Sequence, residues 1–248
     1  MLLGLWNTQG WLTYYLHSDR AEKLTGKSMK VASFNVLSSN KKYDQVLEEL
    51  LRESPDIILL LELNQKWVQE LQPLKVHYPH SHIEPQEGNF GIGLFSKMPF
   101  RLSKIEGFGE VPSVCAQVEL GSEMVHLIGT HPLPPIGSQW SAKRNRQMQE
   151  IAKFVKGQEG QCIVMGDLNM TPYSYVFQDF VKTTHLRDTS VGFGIQPTWQ
   201  ASMPFFAIPI DHILVSEGFH VKQRKVHGTF GSDHSFISAT LFLSESDS

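Results

Sequence analysis

The chain has 248 residues, of which 41% are hydrophobic and 19% are charged. These fractions are those of a folded soluble protein, and the length fits one sizeable domain because no Pro-, Gly- or Ser-rich linker divides it. The net charge of −3 excludes a strong overall attraction to nucleic acid or to anionic membranes.

The N-terminal segment is rich in aromatic and aliphatic residues. Neither of its two apolar stretches, over 1–6 and 11–16, reaches the roughly 20 apolar residues that span a bilayer. No basic segment with a small-residue cleavage site marks a signal peptide. Residues 1–16 fit an interfacial or partner-binding helix as well as a helix packed on the domain. We predict a peripheral segment over 1–28 and a main domain over 29–248, either cytoplasmic or membrane-associated.

The first part of the chain alternates strand and helix patterns. An apolar run over 30–37 predicts a strand, and the apolar stripe that follows predicts a helix over 43–51. The run over 56–62 is continuously apolar, which is typical of a strand covered on both faces. A short helix is expected over 65–71.

Later segments are richer in consecutive strands, separated by Gly and Pro turns. Further strands are predicted over 90–95, 101–108, 113–120, 124–130, 161–166, 209–215, 219–226 and 236–243, and helices over 141–155 and 173–181. This mixture predicts two mixed β-sheets packed together with helices outside, an α/β sandwich.

Polar side chains lie at or just beyond the ends of these apolar runs. In chain order they are Asn35, Glu62, His131, Asp167 with Asn169, Asp211 with His212, and Asp233 with His234. Such positions lie on the rim of a sheet, where open α/β structures build their sites. Oxygen donors combined with histidine indicate a hard divalent cation and a general base that act on a phosphate ester.

The individual positions leave alternatives open. The Glu62 carboxylate is a candidate metal ligand, because an unpaired charge after five apolar residues is costly, but a lysine or a helix N-terminus would also satisfy it. Asn35 is a metal ligand or a turn-stabilising residue. Asp167 and Asn169 either align a nucleophilic water and donate to a phosphoryl oxygen or form an Asx-turn. His131 is an acid/base group or a strand-end residue.

Two Asp-His dipeptides near the C-terminus suggest a carboxylate that orients a histidine. Adjacent residues on a strand point to opposite faces, so we predict a crossed pair of Asp211 with His234, which leaves Asp233 free for metal. Trp199 is expected to fill core rather than line a cleft.

Basic residues form two local groups that could contact phosphates, although a solvated helix face and an exposed edge strand are the expected explanation for most of them. The groups are Lys143, Arg144, Arg146, Lys153 and Lys156, and Lys222, Arg224 and Lys225.

Several of these motifs, in this order, resemble the endonuclease/exonuclease/phosphatase superfamily of metal-dependent phosphoesterases, over about 30–243. They are Ser33-Phe-Asn-Val, the run ending in Glu62, Gly91-Ile-Gly-Leu-Phe-Ser, Thr130-His131, Gly166-Asp-Leu-Asn, Ile210-Asp-His-Ile-Leu and Gly231-Ser-Asp-His. The segment Gly192-Phe-Gly-Ile-Gln-Pro-Thr-Trp199 is similar to a bacterial branch that often carries N-terminal membrane segments. The chain departs from the superfamily pattern at Leu61, where Gln is usual, and at Ser235-Phe236.

The resemblance implies a four-layered α/β sandwich and a hydrolase that depends on Mg²⁺ or Mn²⁺. Asn35 and Glu62 would hold the metal, with Asp233 assisting. His234 would act as general base or stabilise the phosphate, oriented by Asp211. Asp167 and Asn169 would align the water and stabilise the transition state, and His131 would contact the scissile phosphate.

The expected function is cleavage of a phosphodiester in DNA or RNA by a nuclease that we expect to be a monomer. The net acidity and the lack of an obvious stacking platform in the sequence weaken this hypothesis. The alternative is a phosphatase or phosphodiesterase for phospholipid or phosphoinositide headgroups, with residues 1–16 contacting a membrane. A catalytically silent binding domain is disfavoured because every expected catalytic position is filled.

Overall fold

The computed structural model describes residues 26–200 and 206–244. The predicted interfacial segment over 1–16 lies outside the described residues. In chain order the strands are β1 (Lys27–Asn35), β2 (Ile57–Leu61), β3 (His80–Glu84), β4 (Ile92–Ser96), β5 (Leu102–Glu106), β6 (Ser113–Leu120), β7 (Glu123–Thr130), β8 (Gln161–Asp167), β9 (Arg187–Asp188), β10 (Asp211–Val215), β11 (Phe219–Val226) and β12 (Ile237–Leu243). The helices are α1 (Tyr43–Glu53), α2 (Gln65–Glu70), α3 (Gly137–Lys156) and α4 (Tyr175–Thr184), with a 3-10 helix over Gln72–Val76.

The strands form two mixed six-stranded sheets. The first sheet has the order β11-β12-β1-β2-β4-β3 and the second has the order β5-β6-β7-β8-β10-β9. Within each sheet one central pair is parallel, β1 with β2 and β7 with β8, while the other pairs are antiparallel. The carboxyl ends of these two parallel pairs carry four of the polar residues that the sequence singles out: Asn35, Glu62, His131 and Asp167.

The central core lies between the two sheets. Val31, Ile57 and Leu59 from the first sheet pack with Ile163 and Met165 from the second, and all five are fully buried. Alternate residues of β2 face opposite directions. Burial of both faces explains why this strand is continuously apolar.

Helices cover the outer faces of the sheets and complete four layers. Val46 and Leu50 of α1 and Trp67 of α2 pack on the first sheet. Ile151 of α3 and Phe177 of α4 pack on the second. The predicted α/β sandwich is therefore confirmed. Across residues 26–200 and 206–244, no helix is long and apolar enough to cross a membrane.

Local differences from the predicted elements have simple causes. The strands β3 and β9 were not predicted. The segment of β3 is polar and half-exposed, and β9 is only two residues long. Helix α3 begins at Gly137 rather than at residue 141, because its first turn is exposed and shows no apolar stripe.

Candidate active site

The candidate site lies at one edge of both sheets. Asn35 ends β1 and Glu62 follows β2, and these strands are parallel neighbours in which Asn35 lies opposite Leu61. In the second sheet Asp167, the last residue of β8, lies directly opposite Asp211, the first residue of β10. The strand register therefore brings together residues that are far apart in sequence.

Asp167 is at the centre of the site. Its Oδ2 lies 3.3 Å from His131 Nε2 and 3.5 Å from His234 Nε2, and it accepts a hydrogen bond from Asn35 Nδ2 at 3.3 Å. Burial raises the pKa of Asp167, but the charges of His234 and His131 outweigh it and lower the pKa to about 2. Asp167 is therefore an ionised carboxylate between two imidazoles.

The strand that delivers Asp167 requires glycine at the preceding position. Gly166 has φ +145, and a Cβ there would lie 1.9 Å from the carbonyl oxygen of Thr130. The backbone of β8 can approach β7 this closely only without a side chain. This contact brings Asp167 beside His131, which directly follows β7.

His234 is held by Asp211, as the crossed pairing predicted. Its Nδ1 lies 2.9 Å from Asp211 Oδ2. Burial lowers the pKa of His234, but Asp211 and Asp167 act in the opposite direction and raise it to about 10. The backbone N–H of His234 also donates to Ser232 Oγ at 3.0 Å, and that hydroxyl donates to the carbonyl oxygen of Asn35 at 2.7 Å. The histidine is thus tied to both sheets.

Glu62 is paired with neither of the partners considered as alternatives to a metal. Its Oε1 accepts from Asn35 Nδ2 at 3.0 Å, and its Oε2 accepts from the backbone N–H of Ser38 at 3.0 Å. Its backbone has φ 63, a left-handed conformation that costs about 1–3 kcal/mol for a residue other than glycine. A buried, strained carboxylate beside an amide is consistent with a ligand position.

His131 has one ring nitrogen directed at Asp167 and one without a partner. Its Nδ1 is buried and makes no hydrogen bond with any described residue, and its ring lies 5.6 Å from that of Phe90. Burial lowers the pKa of His131, but the hydrogen bond with Asp167 and the nearby charges raise it above its ordinary value. The ring of His131 therefore lies in the candidate site, beside Asp167.

Asn169 forms the Asx-turn that its sequence allowed. Its backbone N–H donates to Asp167 Oδ1 at 3.0 Å, which is an Asx-turn. Its side-chain Nδ2 donates to the carbonyl oxygen of Pro132 at 2.9 Å. The backbone is left-handed at Asn169, where φ is 52. Arg144 of the first basic group donates to the Asn169 carbonyl oxygen at 2.9 Å and so positions this turn.

Asp233 is held by a residue that the sequence had assigned to the core. Trp199 Nε1 donates to Asp233 Oδ2 at 2.9 Å, and Trp199 is only half-buried, so its assignment to the core was wrong. The other oxygen, Asp233 Oδ1, is buried with no hydrogen-bond partner among the residues described. Within residues 26–200 and 206–244, no hydrogen bond or ion pair joins Asp233 to Asn35 or Glu62. Adjacent Thr198 accepts the backbone N–H of Asp211 at 3.1 Å.

His212 does not join the site. Its Nδ1 lies 2.8 Å from Asp188 Oδ2, and its Nε2 lies 2.9 Å from the carbonyl oxygen of Met170. Of the first Asp-His dipeptide, only Asp211 contributes to the candidate site.

The residues present fit a hard divalent cation. Asn35, Glu62 and Asp233 offer an amide oxygen and carboxylates, the ligand types that Mg²⁺ and Mn²⁺ prefer. The orphaned Asp233 Oδ1 is a buried anionic oxygen of the kind that a cation satisfies. Ligand atoms of Asp167, Asp211 and His234 also lie within 4.8 Å of one another. In this second set Asp211 and His234 are bonded to each other, and in the first set Asn35 Nδ2 donates to Glu62 Oε1, so the hydrogen bonds do not rank the two sets.

A family model matches the part of the sequence that builds this site. It describes the endonuclease/exonuclease/phosphatase family, and it matches residues 32–234. The chain belongs to the endonuclease/exonuclease/phosphatase family. The match spans the candidate site residues from Asn35 to His234. No curated protein matches the chain at the level of sequence.

Solved structures share the fold of this family member. D. rerio TDP2 complexed with single-strand DNA product superposes with a TM-score of 0.72 at 19% identity, covering 86% of this chain and 98% of that one. The human Nocturnin catalytic domain with bound sulfate gives 0.71 at 19% identity, covering 88% and 95%. An endonuclease/exonuclease/phosphatase from Bacteroides vulgatus gives 0.72 at 16% identity, covering 88% and 99%. The chain has the phosphoesterase fold of these proteins.

Proposed function

We propose that this protein is a divalent-metal-dependent phosphodiesterase that hydrolyses DNA or RNA by in-line attack of an activated water. The observation that carries the proposal is the position of Asp167. One buried carboxylate lies within 3.5 Å of two imidazole nitrogens and is hydrogen-bonded to the amide of a candidate metal ligand. Water activation and charge stabilisation require groups in this proximity.

The roles of the site residues follow from their charges. Asp167, whose pKa is lowered to about 2, is ionised and accepts a hydrogen bond from the attacking water. His234, whose pKa is raised to about 10, is an imidazolium that donates to a phosphoryl oxygen. Because both ring nitrogens of His234 lie beside carboxylates, we assign it phosphate stabilisation rather than the role of general base. His131, whose Nε2 also lies beside Asp167 Oδ2, contacts the same phosphate.

Asn35 and Glu62, with Asp233 assisting, would hold the cation, which would supply Lewis-acid stabilisation of the phosphate charge. The protein itself orients the side chains that would bind this cation. Asn35 is fixed because its Oδ1 accepts the backbone N–H of Leu37 at 3.1 Å, and Asp233 is fixed by Trp199. Residues fixed before binding lower the entropic cost of assembling the site.

Exposed aromatic residues favour a nucleic-acid substrate. Trp140, Tyr175 and Phe206 are 38%, 82% and 71% exposed. In sequence they lie within ten positions of His131, Asn169 and Asp211, respectively. Aromatic side chains in segments that adjoin the site suit stacking with unpaired bases. We propose these three side chains as the stacking surface that was not evident from the sequence. The related TDP2 structure with a single-strand DNA product supports the same substrate class.

The direct test is nicking of supercoiled plasmid and cleavage of single-stranded DNA and RNA oligonucleotides. Wild type is assayed with Mg²⁺, with Mn²⁺ and with EDTA, beside His234→Ala. The matched control is His77→Ala, because His77 is exposed and has no place in the site. We expect metal-dependent cleavage that His234→Ala abolishes and His77→Ala preserves.

Failure to cleave any nucleic acid, in a folded protein that binds Mg²⁺, would overturn the substrate class. The same proteins would then be assayed on vesicles containing phosphatidylinositol phosphates. Hydrolysis there, lost on removal of residues 1–25, would support the membrane-surface alternative. The deletion ends before β1, so the described domain stays whole.

A further inference from the structure

Arg224 is a buried cation on a strand that otherwise has an exposed polar face. It is 5% exposed, whereas its neighbours Gln223 and Lys225 are exposed. Strand β11 is the edge of the first sheet, and Arg224 lies opposite Ala239, which belongs to the core between the sheets. The guanidinium therefore extends into the space between the sheets. The expectation of a solvated or phosphate-contacting Arg224 was wrong.

The guanidinium of Arg224 lies close to Asp211 of the candidate site. Arg224 lines one small pocket together with Gln196, Asp211 and His212. Its Nη1 donates to the carbonyl oxygen of Lys225 at 2.9 Å, and its Nε is buried without a hydrogen-bond partner in the described part of the chain. Burial lowers the pKa of Arg224 to about 10, and the nearby carboxylates of Asp188 and Asp211 oppose this shift. A buried charge of this kind requires an opposite charge close by.

Of these two carboxylates, only that of Asp211 has an oxygen atom without a hydrogen-bond partner. Asp188 uses Oδ2 for His212 and Oδ1 for the backbone N–H of Ser190. Asp211 uses Oδ2 for His234, but its Oδ1 is buried and has no hydrogen-bond partner within residues 26–200 and 206–244. The unmatched donor of Arg224 and the unmatched acceptor of Asp211 thus belong to residues that line the same pocket.

We propose that Arg224 is a positioning residue of the active site, which acts from the opposite sheet by offsetting the charge of Asp211 and fixing the carboxylate that orients His234. This inference rests on the proposed phosphodiesterase function. It assigns Arg224 no contact with substrate, because the guanidinium is enclosed between the sheets. It also accounts for an arginine that faces the apolar core, because a positive charge there stabilises the carboxylate that contacts the histidine.

A double-mutant cycle tests this assignment. We would measure kcat and KM for bis(p-nitrophenyl) phosphate, a small diester with neither base nor lipid, using Arg224→Met, Asp211→Asn and the double variant. Arg224→Met should lower kcat by about 10- to 100-fold, as loss of an outer-shell partner does, with little change in KM. In the Asp211→Asn background the same substitution should have no further effect, because the residue through which Arg224 acts is already altered.

Three further variants separate positioning from general stability. Lys225→Met changes an exposed cation on the same strand and should leave kcat unchanged. Arg224→Lys keeps the charge and should recover part of the lost kcat, and it serves as the test if Arg224→Met does not fold. Asp188→Asn should lower the melting temperature without reproducing the loss of kcat. Equal losses of kcat from Arg224→Met in both Asp211 backgrounds would overturn the proposal.

A measurement without substrate keeps the inference separate from the proposed function. In ¹⁵N-labelled protein, the Nδ1–H of His234 bonded to Asp211 gives its own imidazole resonance. We expect Arg224→Met to shift or broaden that resonance and Lys225→Met to leave it unchanged, whether or not any diester is cleaved. An unchanged His234 resonance in folded Arg224→Met would show that Arg224 does not position the Asp211–His234 pair.

Discussion

Two buried Asp–His pairs lie near each other in this protein, and they differ in what the second ring nitrogen contacts. In both pairs a carboxylate oxygen lies against Nδ1, at 2.9 Å for Asp211 with His234 and at 2.8 Å for Asp188 with His212. The Nε2 of His212 is bonded to the carbonyl oxygen of Met170 at 2.9 Å. The Nε2 of His234 instead lies 3.5 Å from Asp167, at the point where the other candidate catalytic groups meet.

This comparison separates a structural pair from a candidate catalytic one. A histidine with both nitrogens satisfied by protein atoms has no group left for chemistry and contributes to stability. A histidine with one nitrogen fixed and the other directed at a site can donate to a substrate. The predictions below test whether this difference in the second contact decides the role of each pair.

The largest effect is expected at Asp167, which both site histidines approach. Asp167→Asn removes the charge that aligns the water, and we expect kcat to fall by about 1000-fold in a protein that remains folded. Asp179→Asn is the matched control, because Asp179 is exposed on α4. Metal-dependent hydrolysis of a diester by both variants gives the comparison. A fall of less than tenfold in Asp167→Asn would remove Asp167 from the centre of the mechanism.

Substitution of the carboxylate should lower activity in the Asp211–His234 pair and stability in the Asp188–His212 pair. Asp211→Asn should lower kcat by about 100-fold, because the amide no longer fixes the charge and orientation of His234. Asp188→Asn should instead lower the free energy of unfolding by about 2 kcal/mol, the cost of weakening a buried hydrogen bond. Steady-state kinetics and urea unfolding of both variants check this. Similar losses of kcat in the two variants would show that the pairs are not distinct.

Much of the fold follows from sequence patterns because those patterns are local. The continuous apolar run of β2 predicts a strand buried on both faces, and β2 is fully buried. The alternation of side chains along β10 places Asp211 and His212 on opposite faces of the strand. The sequence therefore predicts the crossed pairing of Asp211 with His234.

The residues that support the site could not be predicted in the same way. Ser232 contacts the backbone of Asn35 across 197 positions of sequence, and Trp199 contacts Asp233 through a loop of no regular pattern. Arg224 was expected to be exposed because it lies in a polar edge strand. The register of β11 shifts between Val221 and Gln223, and this irregularity changes which side chains face the core.

A smaller effect is expected on metal affinity through Trp199. Trp199→Phe removes the indole N–H that fixes Asp233, and we expect Mn²⁺ affinity to fall by about tenfold, as for other outer-shell changes. Isothermal titration calorimetry with Mn²⁺ measures this directly. Trp140→Phe, at an exposed position, provides the control. Unchanged affinity in Trp199→Phe would remove Asp233 from the ligand set.

The smallest effect is a difference in how the two pairs respond to pH in metal-free protein. The pKa of His234 is raised from 6.5 to about 10, so its stabilising contribution is fully present below pH 6.5 and is lost as the pH rises through 10. The pKa of Asp188 is lowered from 3.8, so its contribution is present above pH 3.8 and is lost as the pH falls below that value.

Unfolding of His234→Gln and Asp188→Asn across this pH range, in EDTA, measures both contributions. The stability deficit of His234→Gln relative to wild type should shrink as the pH rises towards 10. The deficit of Asp188→Asn should shrink as the solution becomes acidic. A deficit of His234→Gln that grows with rising pH would contradict the charge state assigned to His234.

The most direct test is to replace the histidine of each pair with alanine. His234→Ala and His212→Ala would be compared with wild type by hydrolysis of bis(p-nitrophenyl) phosphate with Mg²⁺ or Mn²⁺ and by thermal unfolding. We predict that His234→Ala unfolds near the wild-type temperature and has lost about 1000-fold in kcat, whereas His212→Ala unfolds at a lower temperature and retains most of its kcat when assayed while folded. Retained hydrolysis in His234→Ala, or an equal loss in both variants, would contradict the assignment of the site.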